Sequence, residues 1–301
     1  FDIYGTLIDT HGVVTRLQEF IGNEAEKFSR VWREKQLEYS FRRGLMRDYE
    51  NFGVCTSQAL DYTNTYLDAG LSSDQKAALL AEYRSLPAFD DVQASLVELK
   101  DAGHKLYAFS NGTADAVEAL IKAAGISELF DGVVSVDDRQ TFKQNPDVYE
   151  HMINATGASA SDAWLISSNP FDVIGAVSYG VRSAWVQRSK KSIFDPWGID
   201  PTITITSQRE LVKLLYILND RRKLAMAKET LIVKPDSYQP ALKFVGTDVI
   251  LLASKENTQG QEFTYQSGDH GMGHPTHSHH WDETFFVVSG SVEFNCDGKT
   301  E

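Results

Sequence analysis

From about residue 90 onward, amphipathic helical patterns alternate with short apolar runs. Each run ends in a polar or glycine-bearing turn, and the runs are Lys105 to Phe109, Gly132 to Val136, Ala163 to Ile166 and Ser183 to Val186. The helical patterns over 92–102 and 114–124 stop at Gly103 and Gly125, and glycine readily ends a helix. Short strands that alternate with helices predict a parallel sheet covered on both faces. The predicted fold class is therefore a doubly wound α/β core.

Residues 11–89 carry a helical pattern and no convincing strand. Ser72 and Gln75 form a capping-box signature ahead of one of these helices. The block follows directly after residues 1–5, which have the pattern of a short strand that ends in a glycine turn. A helical block inserted after the first strand predicts a cap over the carboxyl edge of the sheet.

The pattern changes after Leu218, where residues 219–228 are charged and break the alternation. We interpret them as a linker between a first domain, 1–218, and a second domain, 229–301. The first domain divides into a core and a cap, with the core at 1–10 and 90–218 and the cap at 11–89.

The second domain consists of short strand-like segments with turns such as Ser289-Gly290 and Asp297-Gly298 between them. The segments are Leu231 to Val233, Leu242 to Val245, Val249 to Leu252, Phe263 to Tyr265, Phe285 to Val288 and Val292 to Phe294. No helix-length period intervenes, so they predict an all-β sandwich or barrel. We expect this barrel to be truncated at Glu301 and the first strand of the core to be shortened at Phe1, as in a fragment.

Composition narrows the classes of partner. The 301 residues contain 29 Lys+Arg and 42 Asp+Glu, for a net charge of −13, and no basic run is interleaved with aromatics. Such a chain repels nucleic acids and anionic membrane surfaces, and no apolar stretch is long enough for a membrane span. Cys55 and Cys296 lie far apart without CxxC spacing, which favours a reducing, cytoplasmic location. Any export signal would precede Phe1.

Reactive and hydrogen-bonding side chains follow the predicted parallel strands at their carboxyl ends, where open α/β sheets bind ligands. These side chains are Asp2 and Thr6, Ser110 and Asn111, Lys143 and Tyr149, and Ser167, Ser168, Asn169 and Asp172. Two carboxylates and one lysine at the same edge predict a site for nucleophilic or acid–base chemistry.

This set resembles the haloacid dehalogenase superfamily, and within it the L-2-haloacid dehalogenases (type II). Five blocks stand in the family's order: Phe-Asp-Ile-Tyr-Gly-Thr-Leu at 1–7, Trp-Arg-Glu-Lys-Gln-Leu-Glu-Tyr-Ser at 32–40, Phe-Ser-Asn-Gly-Thr at 109–113, Phe-Lys-Gln-Asn-Pro-Asp-Val-Tyr at 142–149 and Ser-Ser-Asn-Pro-Phe-Asp at 167–172. The likeness covers residues 1 to about 218. Gln144 departs from the pattern, since the family commonly has proline there, but Lys143 and Tyr149 keep their spacing.

The resemblance implies metal-independent hydrolysis of small L-2-haloalkanoic acids to D-2-hydroxy acids and halide. Asp2 would attack C2 of the substrate, and water would then hydrolyse the aspartyl ester. Lys143 would keep Asp2 ionised and, with Asp172, would orient or activate that water. The other expected residues position the carboxylates or bind substrate and halide: Thr6, Ser110, Ser168, Asn169 and Tyr149 for the first role, and Tyr4, Arg33, Asn111 and Phe171 for the second. Homodimerisation is also implied.

Tyr4 separates this site from a phosphatase of the same superfamily. A phosphate ester releases an alkoxide that needs a proton, which those enzymes take from a second aspartate two residues after the nucleophile. Tyr4 occupies that position, and a halide leaves without a proton. A phosphatase-like hydrolase and a non-catalytic, small-molecule-binding or regulatory fusion stay as alternatives. Apolar and aromatic cap residues are assigned to the cap core rather than to a substrate pocket, namely Trp32, Leu37, Tyr39 and Phe52.

A histidine cluster marks the second domain. His277 and His279 share one face of a strand by alternation, and Glu283 follows after a short turn. Two imidazoles and a carboxylate suit a divalent metal such as Fe, Mn, Zn or Ni. With Gly271 and Gly290, the spacing resembles the first motif of the cupin family. A metal-free cupin, used for packing or for binding a small molecule, is the alternative.

Overall fold

The computed structural model describes residues 1–215, 242–244, 247–253, 263–269, 295–296 and 299–300. By its internal contacts the chain divides into two compact units, Phe1–Lys223 and Leu224–Glu301. The predicted linker at 219–228 and the predicted metal ligands lie outside the described residues, and those ligands are His277, His279 and Glu283.

Four helices make up the cap. They are α1 (His11–Ile21), α2 (Ala25–Met46), α3 (Phe52–Tyr66) and α4 (Ser73–Glu82), with a 3-10 turn at Gly22–Glu24. The capping box predicted at the start of α4 is present, because the Ser72 hydroxyl accepts from the backbone N–H of Gln75 and the Gln75 side chain accepts in return. The side chain of Asn51 caps α3 in a similar way. The predicted helical character of residues 11–89 is confirmed.

The core alternates parallel strands and helices. Its elements are α5 (Val92–Asp101), β1 (Tyr107–Ser110), α6 (Ala114–Ala123), β2 (Gly132–Ser135), α7 (Pro146–Thr156), β3 (Trp164–Ser167), α8 (Pro170–Tyr179), β4 (Arg182–Val186) and β5 (Ile203–Ile205). The strand pairs β1–β2, β3–β4 and β4–β5 are all parallel. The α/β core with a parallel sheet is confirmed. β5 was not predicted from the sequence, because three residues with threonine in the middle form no distinct apolar run.

Residues 1–3 join the two groups of strands. The backbone N–H of Phe109 in β1 donates to the carbonyl of Phe1 at 2.7 Å, and the N–H of Asp2 donates to the carbonyl of Ile166 in β3 at 2.9 Å. The strand order is therefore β2, β1, residues 1–3, β3, β4, β5. Asp2 thus lies at the centre of the carboxyl edge.

Apolar side chains cover both faces of this sheet. Ala108 and Phe109 are neighbours in β1 and are both fully buried, yet they belong to different apolar clusters. Alternation along a strand produces this result, because successive side chains point to opposite faces. The cap packs through Phe28 and Trp32 of α2, which join the cluster that contains Ala108.

In the second unit the described strands are antiparallel. β6 (Leu242–Phe244), β7 (Thr247–Ala253) and β8 (Phe263–Gly268) form one sheet in that order, and β9 (Asn295–Cys296) pairs with β10 (Lys299–Thr300). Three of the predicted strand segments overlap β6, β7 and β8. The assignment of this unit to the cupins stays a prediction.

Across the described parts of the chain, no helix combines the length and the apolar character needed to cross a membrane.

Candidate active site

Asp2 is held at the centre of the sheet edge by hydrogen-bond donors. Its Oδ1 accepts from Nζ of Lys143 at 2.9 Å. Its Oδ2 accepts from the hydroxyl of Thr6 at 2.8 Å and from Nδ2 of Asn169 at 2.8 Å. The tight turn after the strand brings Thr6 back beside Asp2, with Gly5 at a φ of 77° that favours glycine. The carboxylate is therefore fixed in orientation from three sides.

Lys143 lies in the loop after β2 and is only 2% exposed. Its three N–H donors are all used, on Asp2 at 2.9 Å, on the carbonyl of Phe109 at 2.9 Å and on Oδ2 of Asp172 at 2.8 Å. The backbone N–H of Lys143 donates to Oδ1 of Asn111 at 2.9 Å, which fixes the loop to the end of β1. A buried ammonium with three acceptors is a rigid, fully paired charge.

Asp172 completes the buried group from the first turn of α8. It is 0% exposed, and its Oδ1 accepts from the hydroxyl of Tyr149 on α7 at 3.0 Å. Burial, followed by the nearby Asp172, raises the pKa of Tyr149 well above its ordinary value, so its phenol stays a donor. Asp172 is thus held by Lys143 on one oxygen and by Tyr149 on the other.

The two carboxylates differ in their pKa directions. Burial would raise the pKa of Asp2, but the charge of Lys143 and hydrogen bonds from Lys143 and Thr6 outweigh it, so the pKa is lowered. For Asp172, burial and the neighbouring Asp2 raise the pKa despite Lys143. Burial lowers the pKa of Lys143, yet Asp172 and Asp2 more than compensate and the pKa is raised. Of the two carboxylates, Asp2 is therefore the one whose ionised form the site favours more strongly.

The cap contributes Arg33 from α2. Its Nη1 donates to Oε1 of Gln36 at 2.7 Å, and its Nη2 donates to Oδ1 of Asn169 at 3.3 Å. Gln36 is one turn further along the same face and is itself anchored, since its Nε2 donates to the hydroxyl of Thr56 on α3 at 2.5 Å. The guanidinium is thus fixed between the two cap helices and the core.

A small cavity lies beside Asp2. Its walls are shared between core and cap: Asp2, Tyr4, Arg33, Leu37, Phe52, Ser110, Asn111, Lys143, Asn169 and Phe171. The assignment of Leu37 to the cap core was wrong, because Leu37 lines this cavity. Phe52 packs in a buried apolar cluster with Cys55 and Phe142, as assigned, and also lines the cavity. Apolar residues give the same pattern in a sequence whether their side chains face a packed core or a cavity.

The remaining predicted residues lie in the cavity wall or directly behind it. The backbone N–H of Ser168 donates to the hydroxyl oxygen of Thr6 at 2.8 Å, and Tyr149 and Asp172 support Lys143. Ser110 lies in the wall, and its Oγ accepts from the backbone N–H of Gly112 at 3.1 Å. The structure brings all the predicted residues of this first site together, and their individual roles stay predictions.

A family model of haloacid dehalogenase-like hydrolases matches residues 1–180. The chain belongs to the haloacid dehalogenase-like hydrolases. This match covers more than half of the chain and includes every residue of the site above. The prediction that the chain is an enzyme, a hydrolase of the haloacid dehalogenase type, is confirmed.

Individual members of this family are similar over most of their own length. The (S)-2-haloacid dehalogenase of Pseudomonas sp. (strain YL) is 38% identical over 214 residues, which cover 71% of this chain and 92% of that protein. The haloacetate dehalogenase H-2 of Moraxella sp. (strain B) is 33% identical over 72% of this chain and 96% of that protein. A solved structure of L-2-haloacid dehalogenase from Xanthobacter autotrophicus, with chloropropionic acid covalently bound, has a TM-score of 0.68 at 30% identity, over 72% of this chain and 96% of that chain.

This hydrolase also has site residues that the sequence analysis did not single out. Gln36 and Thr56 orient Arg33, and Arg188 contacts the backbone of Thr6. The i to i+3 spacing of Arg33 and Gln36 on one helix was a usable signal. The contact of Arg188 with Thr6 joins residues 182 positions apart, and no local pattern indicates it.

Proposed function

We propose that this enzyme hydrolyses small L-2-haloalkanoic acids to D-2-hydroxy acids and halide through an aspartyl ester on Asp2. One observation carries the proposal. A carboxylate with a lowered pKa lies in a small cavity, and within residues 1–215 its hydrogen-bonding partners are the donors Lys143, Thr6 and Asn169. An ionised, oriented carboxylate is a nucleophile for in-line displacement.

In the first step one carboxylate oxygen of Asp2 attacks C2 of the haloacid. The new C2–O bond forms as the carbon–halogen bond breaks, the electron pair leaves with the halide, and the configuration at C2 inverts. The halide leaves toward Arg33, Asn111 and Phe171. The fixed guanidinium of Arg33 stabilises the developing negative charge in a site with little water.

A halide needs no proton, and this fits the residue at position 4. Burial, followed by the neighbouring Tyr83, raises the pKa of Tyr4 to about 12. The Tyr4 phenol is therefore a poor acid for an alkoxide leaving group, whereas it can line a pocket for a haloacid. This favours carbon–halogen cleavage over phosphate-ester hydrolysis.

In the second step water attacks the carbonyl carbon of the aspartyl ester. The bond between that carbon and the ester oxygen breaks, so the product hydroxyl carries an oxygen that came from Asp2. Lys143 and Asp172 orient and activate this water, while Thr6, Ser110 and Ser168 position the reacting groups. Tyr149 holds Asp172 in place, and Asn169 holds Asp2 in place.

We propose that neither step uses a metal, because of the chemistry of the groups around Asp2. A divalent cation of the magnesium type needs several oxygen ligands. Here the ammonium of Lys143 lies between the two carboxylates, and the amide nitrogen of Asn169 faces Asp2. A metal ion at Asp2 would have to displace these donors.

For the second unit, we propose a divalent metal bound by His277, His279 and Glu283, with a cupin as its fold. The support is the sequence spacing alone. Elemental analysis of the purified protein tests it, and a substitution of His277 by Ala should remove the bound metal. We also propose that the protein is cytoplasmic and forms a homodimer. Light scattering of the purified protein tests the homodimer, and fractionation of the source cells tests the location.

The catalytic proposal is tested with separate L- and D-2-chloropropionate in the presence of EDTA. We expect chloride release from the L form only. A single turnover in ¹⁸O-water should give unlabelled product and one labelled oxygen on Asp2, whereas direct attack of water on C2 would label the product. Asp2→Asn should abolish chloride release, and Asp90→Asn, at an exposed position, is the matched control.

A further inference from the structure

Arg188 lies just beyond the carboxyl end of β4 and makes two sets of hydrogen bonds. Its Nη1 lies 2.8 Å from each carboxylate oxygen of Asp91. Its Nε and Nη2 donate to the backbone carbonyl of Thr6 at 3.2 and 2.6 Å. The side chains of Arg188 and Asp91 are 16% and 13% exposed, so the pair is largely shielded from water. This is a fixed guanidinium with defined acceptors on two sides.

The two acceptors belong to the two segments that connect cap and core. Thr6 lies in the segment that leads into the cap, and Asp91 lies in the segment that returns from it. These segments also pair directly, since the N–H of Phe89 donates to the carbonyl of Leu7 at 2.9 Å. The guanidinium of Arg188 lies 4.2 Å from the centre of the Phe89 ring. Arg188 therefore ties both connecting segments to the end of β4.

Thr6 links the guanidinium of Arg188 to the carboxylate of Asp2. Its carbonyl accepts from Arg188, while its hydroxyl donates to Oδ2 of Asp2 at 2.8 Å. Thr6 is fully buried, and its hydroxyl oxygen also accepts from the N–H of Ser168. Because carbonyl and hydroxyl belong to one short residue, a shift of the carbonyl moves the hydroxyl away from Asp2.

We propose that Arg188 is a positioning residue for Asp2 that acts through Thr6, with Asp91 holding its guanidinium in place. This inference rests on the proposed role of Asp2 as nucleophile. Arginine suits the task because its planar fork reaches a carboxylate and a carbonyl at once, which a lysine ammonium cannot do in this geometry. Arg188 does not line the cavity, so it acts on the rate of reaction and not on substrate binding.

The experiment compares Arg188→Met, Arg188→Lys and the control Arg182→Met in the intact protein. Arg182 is exposed at the opposite end of β4. We expect Arg188→Met to lower kcat for L-2-chloropropionate by about 10- to 100-fold with KM unchanged, as for a misplaced reacting group. Arg188→Lys should recover part of the loss, and Arg182→Met should keep the parental kcat. Thermal unfolding of each variant shows whether it is folded, and Arg188→Lys replaces Arg188→Met in the comparison if the latter does not fold.

A double substitution separates positioning from a general structural effect. If Arg188 acts through the Thr6 hydroxyl, Arg188→Met should cost little further kcat in a Thr6→Val background. Three outcomes would each overturn the inference. The losses in kcat could multiply in the double variant, kcat/KM of Arg188→Met could fall through KM alone, or Arg188→Met could keep the parental kcat. Asp2→Asn distinguishes the two proposals. If Asp2→Asn still releases chloride, the proposed function fails; if only the Arg188 comparison fails, the nucleophile assignment stands.

Discussion

Arg33 of the cap donates a hydrogen bond to the side chain of Asn169 in the core, with 3.3 Å between Nη2 and Oδ1. The same amide turns its Nδ2 toward Oδ2 of Asp2 at 2.8 Å. One asparagine therefore connects the guanidinium expected to receive the halide with the carboxylate expected to displace it. This contact joins the cap to the side chain that orients the carboxylate of Asp2.

Arg33→Lys should lower kcat/KM for L-2-chloropropionate by roughly 10²-fold, the order found when one fixed donor to developing charge is lost. A lysine ammonium cannot bond Gln36 and Asn169 in the same planar arrangement. Chloride release measured by steady-state kinetics checks this. Arg30→Lys, at an exposed position of the same helix, should leave the rate unchanged. Equal rates for both variants would contradict the role of Arg33.

Asn169→Asp should move the acidic limb of the kcat/KM profile to higher pH. The proposed mechanism requires ionised Asp2, so activity should be lost as the pH falls through its pKa, which the structure holds below the ordinary value. A carboxylate at 169 removes a donor and adds a like charge, both of which raise the pKa of Asp2. The rate of chloride release across the acidic range measures the shift. Asn154→Asp, on an exposed part of α7, is the control. The prediction would be wrong if the acidic limb of Asn169→Asp lay at the same pH as that of the parent and of the control.

Much of the core followed from local pattern. The apolar runs predicted β1 to β4 because each strand is buried on both faces, and strand ends in a parallel sheet converge on one edge. That convergence was enough to predict that Asp2, Lys143 and Asp172 lie close together. The Ser72 capping box was likewise readable, since both partners lie within one helical turn.

The missed features depend on contacts between distant residues. Arg188 and Asp91 are 97 positions apart, and nothing in the sequence near either indicates the other. Leu37 was assigned to the cap core because hydrophobicity does not distinguish a cavity wall from packed interior. The strand β5 is too short to form a pattern of its own.

Tyr149→Phe should destabilise the protein by about 1–3 kcal/mol, the cost of leaving a buried acceptor unpaired. The phenol donates to Oδ1 of Asp172, and its loss leaves that buried carboxylate with Lys143 as its remaining side-chain donor within residues 1–215. Urea unfolding monitored by fluorescence gives the change in the free energy of unfolding. Tyr66→Phe, at a residue 64% exposed, is the matched control and should change it little. A stability equal to that of the parent would mean that the Asp172 site does not depend on the phenol.

Leu37→Ala should shift preference toward longer haloacids. Leu37 lies one turn after Arg33 on the face of α2 that lines the cavity, so shortening its side chain enlarges the cavity. Because one methylene in an apolar pocket changes specificity by about 10- to 200-fold, the ratio of kcat/KM for L-2-chlorobutanoate over L-2-chloropropionate should rise within that range. Leu45→Ala provides the control, since Leu45 lies on the same helix but is 88% exposed. If both variants gave the parental ratio, Leu37 would not limit the length of the substrate, and the other bulky wall residues, Tyr4, Phe52 and Phe171, would be tested next.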